Sequence, residues 1–283
     1  MMNETSQRVI QSNRIMGPTI RYFAMGLFAL TSLSPFLWVI FSSVKTNSEI
    51  YAEPFGFPSV FVFSNYLTAW KNANIGINLL NSLIISISAV FFVILFGSMA
   101  AYILARVKAS LFFYTYFTLG IMVPVHTILI PTFILMKNFG LYNTREGLII
   151  LYAVSNLSLA VFILVGFMKS IPYEIEEAAV MDGCNPVQVF FKIIFPLSKP
   201  GLATIGILTF LNCWNEYLFA YVLISDAKLK TITQGIYALQ GSYNTNYGPL
   251  CAGLTFAIIP VLIIYVIFSE QIIAGMTAGA VKG

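Results

Sequence analysis

The polar residues of the fifth apolar stretch are the first candidates for chemistry. Asn212, Asn215 and Glu216 interrupt an apolar run at spacings of i, i+3 and i+4, so an ideal helix would carry all three on one face. An ionisable side chain at membrane depth is costly and commonly faces a cavity, a solute path or another helix. Two amides and a carboxylate could hydrogen-bond a hydroxyl-rich solute, with the ring of Trp214 nearby.

Two interpretations of this face stay open. Either its polar groups line a solute path, or Glu216 bonds a neighbouring helix or reaches water near the outer surface. Trp214 points about 100° away from Asn215 on an ideal helix, so these two side chains cannot aim at one spot. Asn156, in the fourth apolar stretch, is a further candidate for the path.

The third and fourth stretches carry other groups that could act. Pro124 and Pro131 remove two backbone donors and predict a bent helix bordering a solute path. His126 lies between them, and we favour a packing role over a proton relay, because a lone histidine is more often structural. Ser155 and Ser158 are predicted to hydrogen-bond between helices. One histidine and three scattered cysteines predict neither a catalytic nor a metal site.

A hydrophilic segment separates the fourth and fifth apolar stretches and holds four of the chain's eleven acidic residues. We name residues 169–200 the elbow, because their proline, glycine and N-cap residues predict two short helices joined by a turn. The first helix begins near Pro172, which is tolerated in a first turn, and ends at Gly183. Asn185 and Pro186 are then typical of an N-cap and a first helical residue.

The elbow's side chains predict contact with a partner surface. The second helix carries an apolar stripe at helical spacing: Val187, Phe190, Phe191 and Ile194. The first helix carries a small apolar face: Ile175, Ala178 and Ala179. Glu177 and Asp182 could pair with basic groups of the partner, although exposed pairs contribute only about 0–1 kcal/mol. The alternative is a helix lying on the membrane surface, which we disfavour because such helices carry Lys or Arg rather than Glu.

The composition predicts an all-α, multi-pass membrane protein. Of 283 residues, 58% are hydrophobic and only 9% are charged, which is too apolar for a soluble domain. A helix needs about 20 apolar residues to cross a bilayer. Six stretches meet that length and predict six transmembrane helices: Tyr22–Val44, Leu80–Leu104, Leu111–Met136, Gly147–Met168, Leu202–Ile224 and Cys251–Ile273.

The chain is predicted to form a single membrane domain over residues 1–283. Its Lys and Arg residues predict how that domain is oriented. With the N-terminus inside, nine Lys and Arg residues lie on the cytoplasmic side and six lie outside. The cytoplasmic parts are then the N-terminal segment 1–21, the elbow and the C-terminal tail 274–283. The net charge of +4 mostly restates this asymmetry, and no clustered basic face of the kind that binds nucleic acid is present.

The elbow also carries a family resemblance. Glu177-Ala178-Ala179, Gly183, Ile193 and Phe195-Pro196 resemble, in type and spacing, the EAA loop of ABC importer permeases. That family usually has Leu before the proline, where this chain has Phe195. Weaker strings in the same order resemble carbohydrate-importer permeases of the maltose-transporter type: 36–45, Asn65-Tyr66, Asn81-Ser82, 98–106, Met122–Pro124, Ile130-Pro131, Gly140-Leu141, Thr144 and 279–283.

The resemblance implies the smaller, six-helix permease subunit of such an importer, in the inner membrane of a bacterial or archaeal cell. It implies a second, different permease subunit, two ATPase subunits that bind ATP and Mg²⁺, and an extracytoplasmic solute-binding protein. This chain would bind no cofactor itself. ATPase docking is carried over to seven elbow residues: Glu177, Ala178, Ala179, Asp182, Gly183, Ile193 and Pro196. A tail contact with the ATPase is carried over to Thr277, Ala280 and Lys282.

Two other functions are alternatives to import driven by ATP. An ion-coupled carrier could use Glu216 or His126 as its proton site, but no internal repeat is visible and the elbow would be unexplained. A membrane-embedded enzyme would need the catalytic groups that this chain lacks. No Gly-rich phosphate loop ending in Lys-Ser or Lys-Thr occurs in the sequence, so ATP hydrolysis requires a separate polypeptide.

Overall fold

The structure is a computed structural model that describes residues 4–107, 111–241 and 245–280, and within these ranges it is all-helical, as predicted. Its helices are α1 (Glu4–Ser42), α2 (Asn47–Ala52), α3 (Ser64–Asn72), α4 (Ile75–Arg106), α5 (Leu111–Met122), α6 (Leu129–Asn138), α7 (Arg145–Lys169), α8 (Tyr173–Met181), α9 (Pro186–Val189), α10 (Phe195–Leu197), α11 (Lys199–Asn215), α12 (Leu218–Leu223), α13 (Ile232–Tyr237) and α14 (Tyr247–Ala280). A 3₁₀ turn spans Val125–Ile128, and a π turn spans Phe190–Ile194.

Four of the described helices are long and apolar enough to cross a membrane: Arg21–Ser42, Ile75–Arg106, Arg145–Lys169 and Tyr247–Glu270. They coincide with the first, second, fourth and sixth predicted stretches. A fifth crossing follows if Pro186–Leu197 and Lys199–Asn215 form one span, although a bend of 75° separates the two parts. The helix Leu111–Met122, in the third predicted stretch, is apolar but shorter.

The third predicted stretch is not one continuous helix. Helix α5 ends at Met122, and the 3₁₀ turn leads into α6 with Pro124 at the break. The bend expected from the prolines is therefore present. Pro131 lies in the first turn of α6, where backbone N–H groups have no partner within the helix and a missing donor costs little. The side chain of His126 lies outside the described residues.

Helices α4 and α7 form the centre of the bundle and run parallel, with their C-terminal ends at the elbow. Gly97 of α4 packs against Ala160 of α7, and a Cβ atom at Gly97 would lie 3.2 Å from that of Ala160. Small residues at this crossing let the two backbones approach closely, which is how helices associate in lipid without a hydrophobic driving force. Buried side chains then continue along both helices to the elbow.

The opposite end of α4 anchors the segment that follows the fifth stretch. The side-chain amide of Asn81 donates to the carbonyls of Lys228 and Lys230, both at 2.9 Å. The backbone amide of Ile232 donates to the hydroxyl of Ser82 at 2.8 Å. Helix α13 is thereby fixed beside α4, close to the end of α11.

Candidate functional sites: the elbow and the break after α11

The first half of the elbow is a helix closed by the predicted glycine. Helix α8 begins directly after Pro172 and has Glu174 and Glu176 in its first turn, where the helix dipole favours negative charge. Gly183 has φ +86°, a conformation that favours glycine. The amide of Gly183 donates to the carbonyl of Val180, and that of Cys184 donates to Ala179, both at 3.0 Å. These two bonds form a Schellman C-cap.

The second half of the elbow begins with a capping box. The side chain of Asn185 accepts from the amide of Gln188, and the side chain of Gln188 accepts from the amide of Asn185, both at 2.9 Å. Pro186 is the first helical residue, as predicted. The chain then passes through the π turn and α10 and bends into α11. Pro196 of α10 and Pro200 of α11 each lack a backbone donor.

Side chains from both halves of the elbow pack against the bundle. Ala179, Val189, Phe190 and Ile194 are buried in one cluster with residues of α4 and α7. The predicted stripe is therefore half correct. Phe190 and Ile194 are buried, whereas Val187 and Phe191 are exposed.

The outer face of the elbow is exposed and partly apolar. Among the predicted docking residues, Glu177, Ala178, Asp182 and Gly183 are exposed, while Ile193 and Pro196 are half-buried. Ala179 points into the bundle, so its predicted place on one exposed face with Ala178 and Ile175 does not hold. Met181, which sequence reasoning missed, is 87% exposed. The exposed apolar side chains of this face are Ile175, Val180, Met181, Val187 and Phe191.

Glu176 was also missed, although it makes the strongest polar contacts of the elbow. It is buried and forms an ion pair with Arg106, the last residue of α4. Nε of Arg106 donates to Oε1 of Glu176 at 2.5 Å, and the hydroxyl of Tyr102 donates to Oε2 at 3.0 Å. In sequence, Glu176 is one of three similar glutamates, and no local signal separates it from Glu174 or Glu177.

The second candidate site lies where the fifth stretch breaks. Helix α11 ends at Asn215, and Glu216 has an extended backbone with ψ 130°. The prediction that Asn212, Asn215 and Glu216 share one face of a continuous helix therefore does not hold for Glu216. Asn212 and Asn215 are both exposed. The side-chain amide of Asn212 donates to Oδ1 of Asn156 at 3.0 Å, and that of Asn156 donates to the carbonyl of Tyr152 at 2.8 Å.

The carboxylate of Glu216 is engaged within the chain. It accepts hydrogen bonds from the hydroxyl of Tyr152 at 2.5 Å and from the amides of Phe219 and Ala220 at 2.7 and 3.0 Å. The two amides belong to the first turn of α12, whose N–H groups have no partner within the helix. Of the two interpretations offered for Glu216, this geometry favours the bond to a neighbouring helix.

Trp214 and the two serines also have defined surroundings. Trp214 is only 2% exposed, stacks on Phe210 at 5.4 Å, and donates from Nε1 to the carbonyl of Ala257 at 3.2 Å. It ties α11 to α14. Ser158 is half-buried and packs close to Gly120, while Ser155 is exposed. Among the described residues, neither serine makes the interhelical hydrogen bond that was expected.

A cavity of about 850 Å³ adjoins the break and was not anticipated. Its polar lining residues include Asn215, Tyr217, Tyr237 and Gln240, and α1 and α14 supply most of its apolar walls. The rings of Tyr217 and Tyr237 lie 4.9 Å apart, and Tyr221 lies 5.4 Å from Tyr217. Amides beside exposed aromatic rings provide the hydrogen-bonding groups and the ring faces that a sugar needs. Tyr237 is far from α11 in sequence, so only the fold reveals this grouping.

Comparison with known proteins places these sites in a family. Residues 93–277, which include the elbow and the break, match the family described as the binding-protein-dependent transport system inner membrane component. The chain belongs to this family. It is a permease subunit of an ABC importer, and the ion-coupled carrier weighed as an alternative gains no support.

Similar proteins extend the match over almost the whole permease. The diacetylchitobiose uptake system permease protein of Streptomyces coelicolor is 37% identical, with 90% of this chain and 86% of that protein covered. The sulfoquinovosyl glycerol transport system permease protein of Agrobacterium fabrum is 34% identical, with 96% of each covered. A crystal structure of a bacterial ABC transporter that imports the acidic polysaccharide alginate contains a chain with a TM-score of 0.76 and 26% identity, covering 92% of this chain and 97% of that one.

The tail residues cannot be placed as sites. Helix α14 continues to Ala280, so the tail 274–283 is helical over most of its length. The side chains of Thr277 and Ala280 lie outside the described residues, as does Lys282 as a whole.

Proposed function

We propose that this permease imports a carbohydrate, and that a separate ATPase drives it by gripping the outer face of the elbow. The single observation that carries the docking proposal is the division of the elbow into a buried inner face and an exposed apolar outer face. A short helix fixed on a bundle can transmit movement from a partner only if its base is held firmly. The exposed side chains of Val180 and Met181 then suit a hydrophobic groove on that partner.

The orientation belongs to the same proposal. The elbow end of the bundle carries Arg106, Lys169, Lys192 and Lys199, which suits the cytoplasmic side under the positive-inside rule. If the broken third and fifth stretches each cross the membrane once, the permease has six crossings. Both termini would then be cytoplasmic. ATP and Mg²⁺ would bind on the ATPase subunits, and Thr277, Ala280 and Lys282 of the tail stay proposed contacts with them.

A second permease subunit is supported by the first span. Residues 21–42 are long and apolar enough to cross the membrane, yet none of residues 21–41 is buried within this chain. A second, different permease subunit would cover part of that surface and complete the path. An extracytoplasmic binding protein would deliver the solute, in keeping with the description of the family.

The carbohydrate path would pass the break after α11. Asn212 and Asn215 expose amides at membrane depth, where a polar side chain usually faces a cavity or a partner. Asn156 orients Asn212, and the neighbouring tyrosines add aromatic faces. The relatives are named for diacetylchitobiose, sulfoquinovosyl glycerol and alginate, all of which carry sugar rings, and this shared feature supports a carbohydrate for this permease.

Co-isolation of the ATPase tests the docking proposal. Met181→Glu places a charge in the apolar outer face without touching the buried side, and it should weaken docking by about 2 kcal/mol or more. Val60→Glu is the matched control, since it adds the same charge at an exposed apolar position at the other end of the bundle. We expect the ATPase to co-purify with the wild type and with Val60→Glu, and to be lost from Met181→Glu. Equal recovery from all three would overturn the proposal.

A further inference from the structure

The last turn of α4 lies against the underside of the elbow. Helix α4 has 32 residues and is about 48 Å long, which exceeds the roughly 30 Å of a bilayer core. Its C-terminal turn can therefore project beyond the hydrocarbon and meet α8. The side chains of Arg106 and Glu176 are only 9% and 11% exposed.

Arg106 is held on several sides at once. Besides the ion pair with Glu176, its guanidinium donates to the carbonyl of Ile171 at 3.2 Å and lies 4.7 Å from the centre of the Tyr173 ring. The hydroxyl of Tyr173 donates back to the carbonyl of Arg106 at 2.9 Å. These contacts fix the start of α8 relative to the end of α4.

The same turn of α4 also contacts the second half of the elbow. The ring of Tyr102 lies 5.3 Å from that of Phe190, while its hydroxyl bonds Glu176. One helix turn therefore joins both halves of the elbow, through a charged contact on one side and an aromatic contact on the other.

Neighbouring carboxylates of α8 have different surroundings. Glu177 is exposed on the outer face, whereas Glu176 is turned inward to Arg106. Well-packed apolar side chains could stabilise such a contact equally well, since burying two charges is costly. Directional hydrogen bonds additionally fix how α8 is oriented on α4, which a purely apolar contact does less well.

We infer that the Arg106–Glu176 pair is the joint through which movement of the elbow reaches α4. This inference rests on the proposed function, because the movement comes from the docked ATPase. Glu176 and Arg106 act as positioning residues: the outer face receives the force, and the pair passes it to the span at the centre of the bundle. Breaking the pair should uncouple ATP hydrolysis from solute movement while the ATPase stays docked.

The experiment uses the complete importer, reconstituted in vesicles with its ATPase and its binding protein. The variants are Glu176→Gln, which removes the charge, and Glu174→Gln, the matched control at an exposed carboxylate of the same helix. Solute imported per ATP hydrolysed should fall about five-fold or more in Glu176→Gln and stay close to the wild-type value in Glu174→Gln. The ATPase should co-purify with both variants.

A double-variant cycle tests whether the two residues act as one unit. Adding Arg106→Gln to Glu176→Gln should lower the imported solute per ATP no further than the worse single variant does. Independent losses that multiply would overturn the joint. An unchanged ratio in Glu176→Gln would overturn it as well.

Two further observations separate the possible failures. If the wild-type permease isolates without an ATPase, the proposed function itself fails. If Glu176→Gln does not assemble, Arg106→Gln alone decides the question, because it breaks the same ion pair from the α4 side and leaves the elbow's own side chains unchanged. A lowered ratio in Arg106→Gln supports the joint, and a wild-type ratio overturns it.

Discussion

Glu216 allows a structural role to be separated from a role in the solute path. Its carboxylate accepts three hydrogen bonds, from the hydroxyl of Tyr152 and the amides of Phe219 and Ala220. In Glu216→Gln only one side-chain oxygen remains, so at least one amide of α12 faces an NH₂ group. An unsatisfied buried donor costs about 1–3 kcal/mol, and the remaining bonds lose the contribution of the charge.

We expect Glu216→Gln to lower the free energy of unfolding by about 2–4 kcal/mol, because part of these losses is offset when a half-buried carboxylate is removed. Tyr152→Phe removes one of the three bonds and leaves Oε2 paired with Ala220, so its effect should be smaller, about 1–2 kcal/mol. Glu146→Gln, at an exposed carboxylate, is the control and should change stability by less than about 1 kcal/mol.

The assay combines thermal unfolding of the purified importer in lipid nanodiscs with uptake by cells, normalised to the amount of folded permease in the membrane. The midpoint of thermal unfolding should be highest in the control, lower in Tyr152→Phe and lowest in Glu216→Gln. Uptake per folded permease should change little in all three. The opposite pattern would refute this reasoning: an unchanged midpoint with uptake reduced more than about ten-fold would mean that the carboxylate acts on the solute or on a proton.

Two glycine pairs provide the remaining predictions. Gly183 and Gly140 both have positive φ and open space where a Cβ atom would lie, so alanine at either should cost about 1–2 kcal/mol of backbone strain. Only Gly183→Ala should reduce co-isolation of the ATPase. Equal losses in both variants would argue against ATPase docking at the elbow. Gly97→Leu should force α4 away from Ala160 of α7 and lower the thermal midpoint by the equivalent of about 1–3 kcal/mol. Gly26→Leu, at a position with no neighbouring atom within this chain, should be near neutral when the isolated permease is measured.

Local signals predicted the elbow well. Pro172, Gly183 and the Asn185-Pro186 pair each act through backbone conformation or a missing donor, which depend on one or two residues. The limits of α8 and the capped start of α9 therefore follow from the sequence. The inner and outer faces do not, because the π turn shifts the helical register after Val189 and removes Phe191 from the predicted stripe. Whether a carboxylate such as Glu176 faces inward depends on where α4 ends.

The break after α11 had no local signal. Asn215, Glu216 and Tyr217 include neither proline nor glycine, and the apolar run continues on both sides, so periodicity favoured one helix. The chain can leave the helix there because the lost backbone bonds are replaced from elsewhere. Glu216 receives the free amides of α12, and Thr233 donates to the carbonyl of Glu216 at 2.9 Å.

Glu176 and Glu216 share a physical logic that connects the two sites. Each is a carboxylate that accepts hydrogen bonds from groups of this chain, and each fixes a short helix next to a break in a longer one: α8 at the elbow and α12 after α11. The polar groups left exposed beside them are Glu177 at the elbow and Asn215 at the break, which are the contacts proposed above for an ATPase and a sugar. Since α11 runs from the elbow to the break, a movement imposed at one end can reach the other through a single helix.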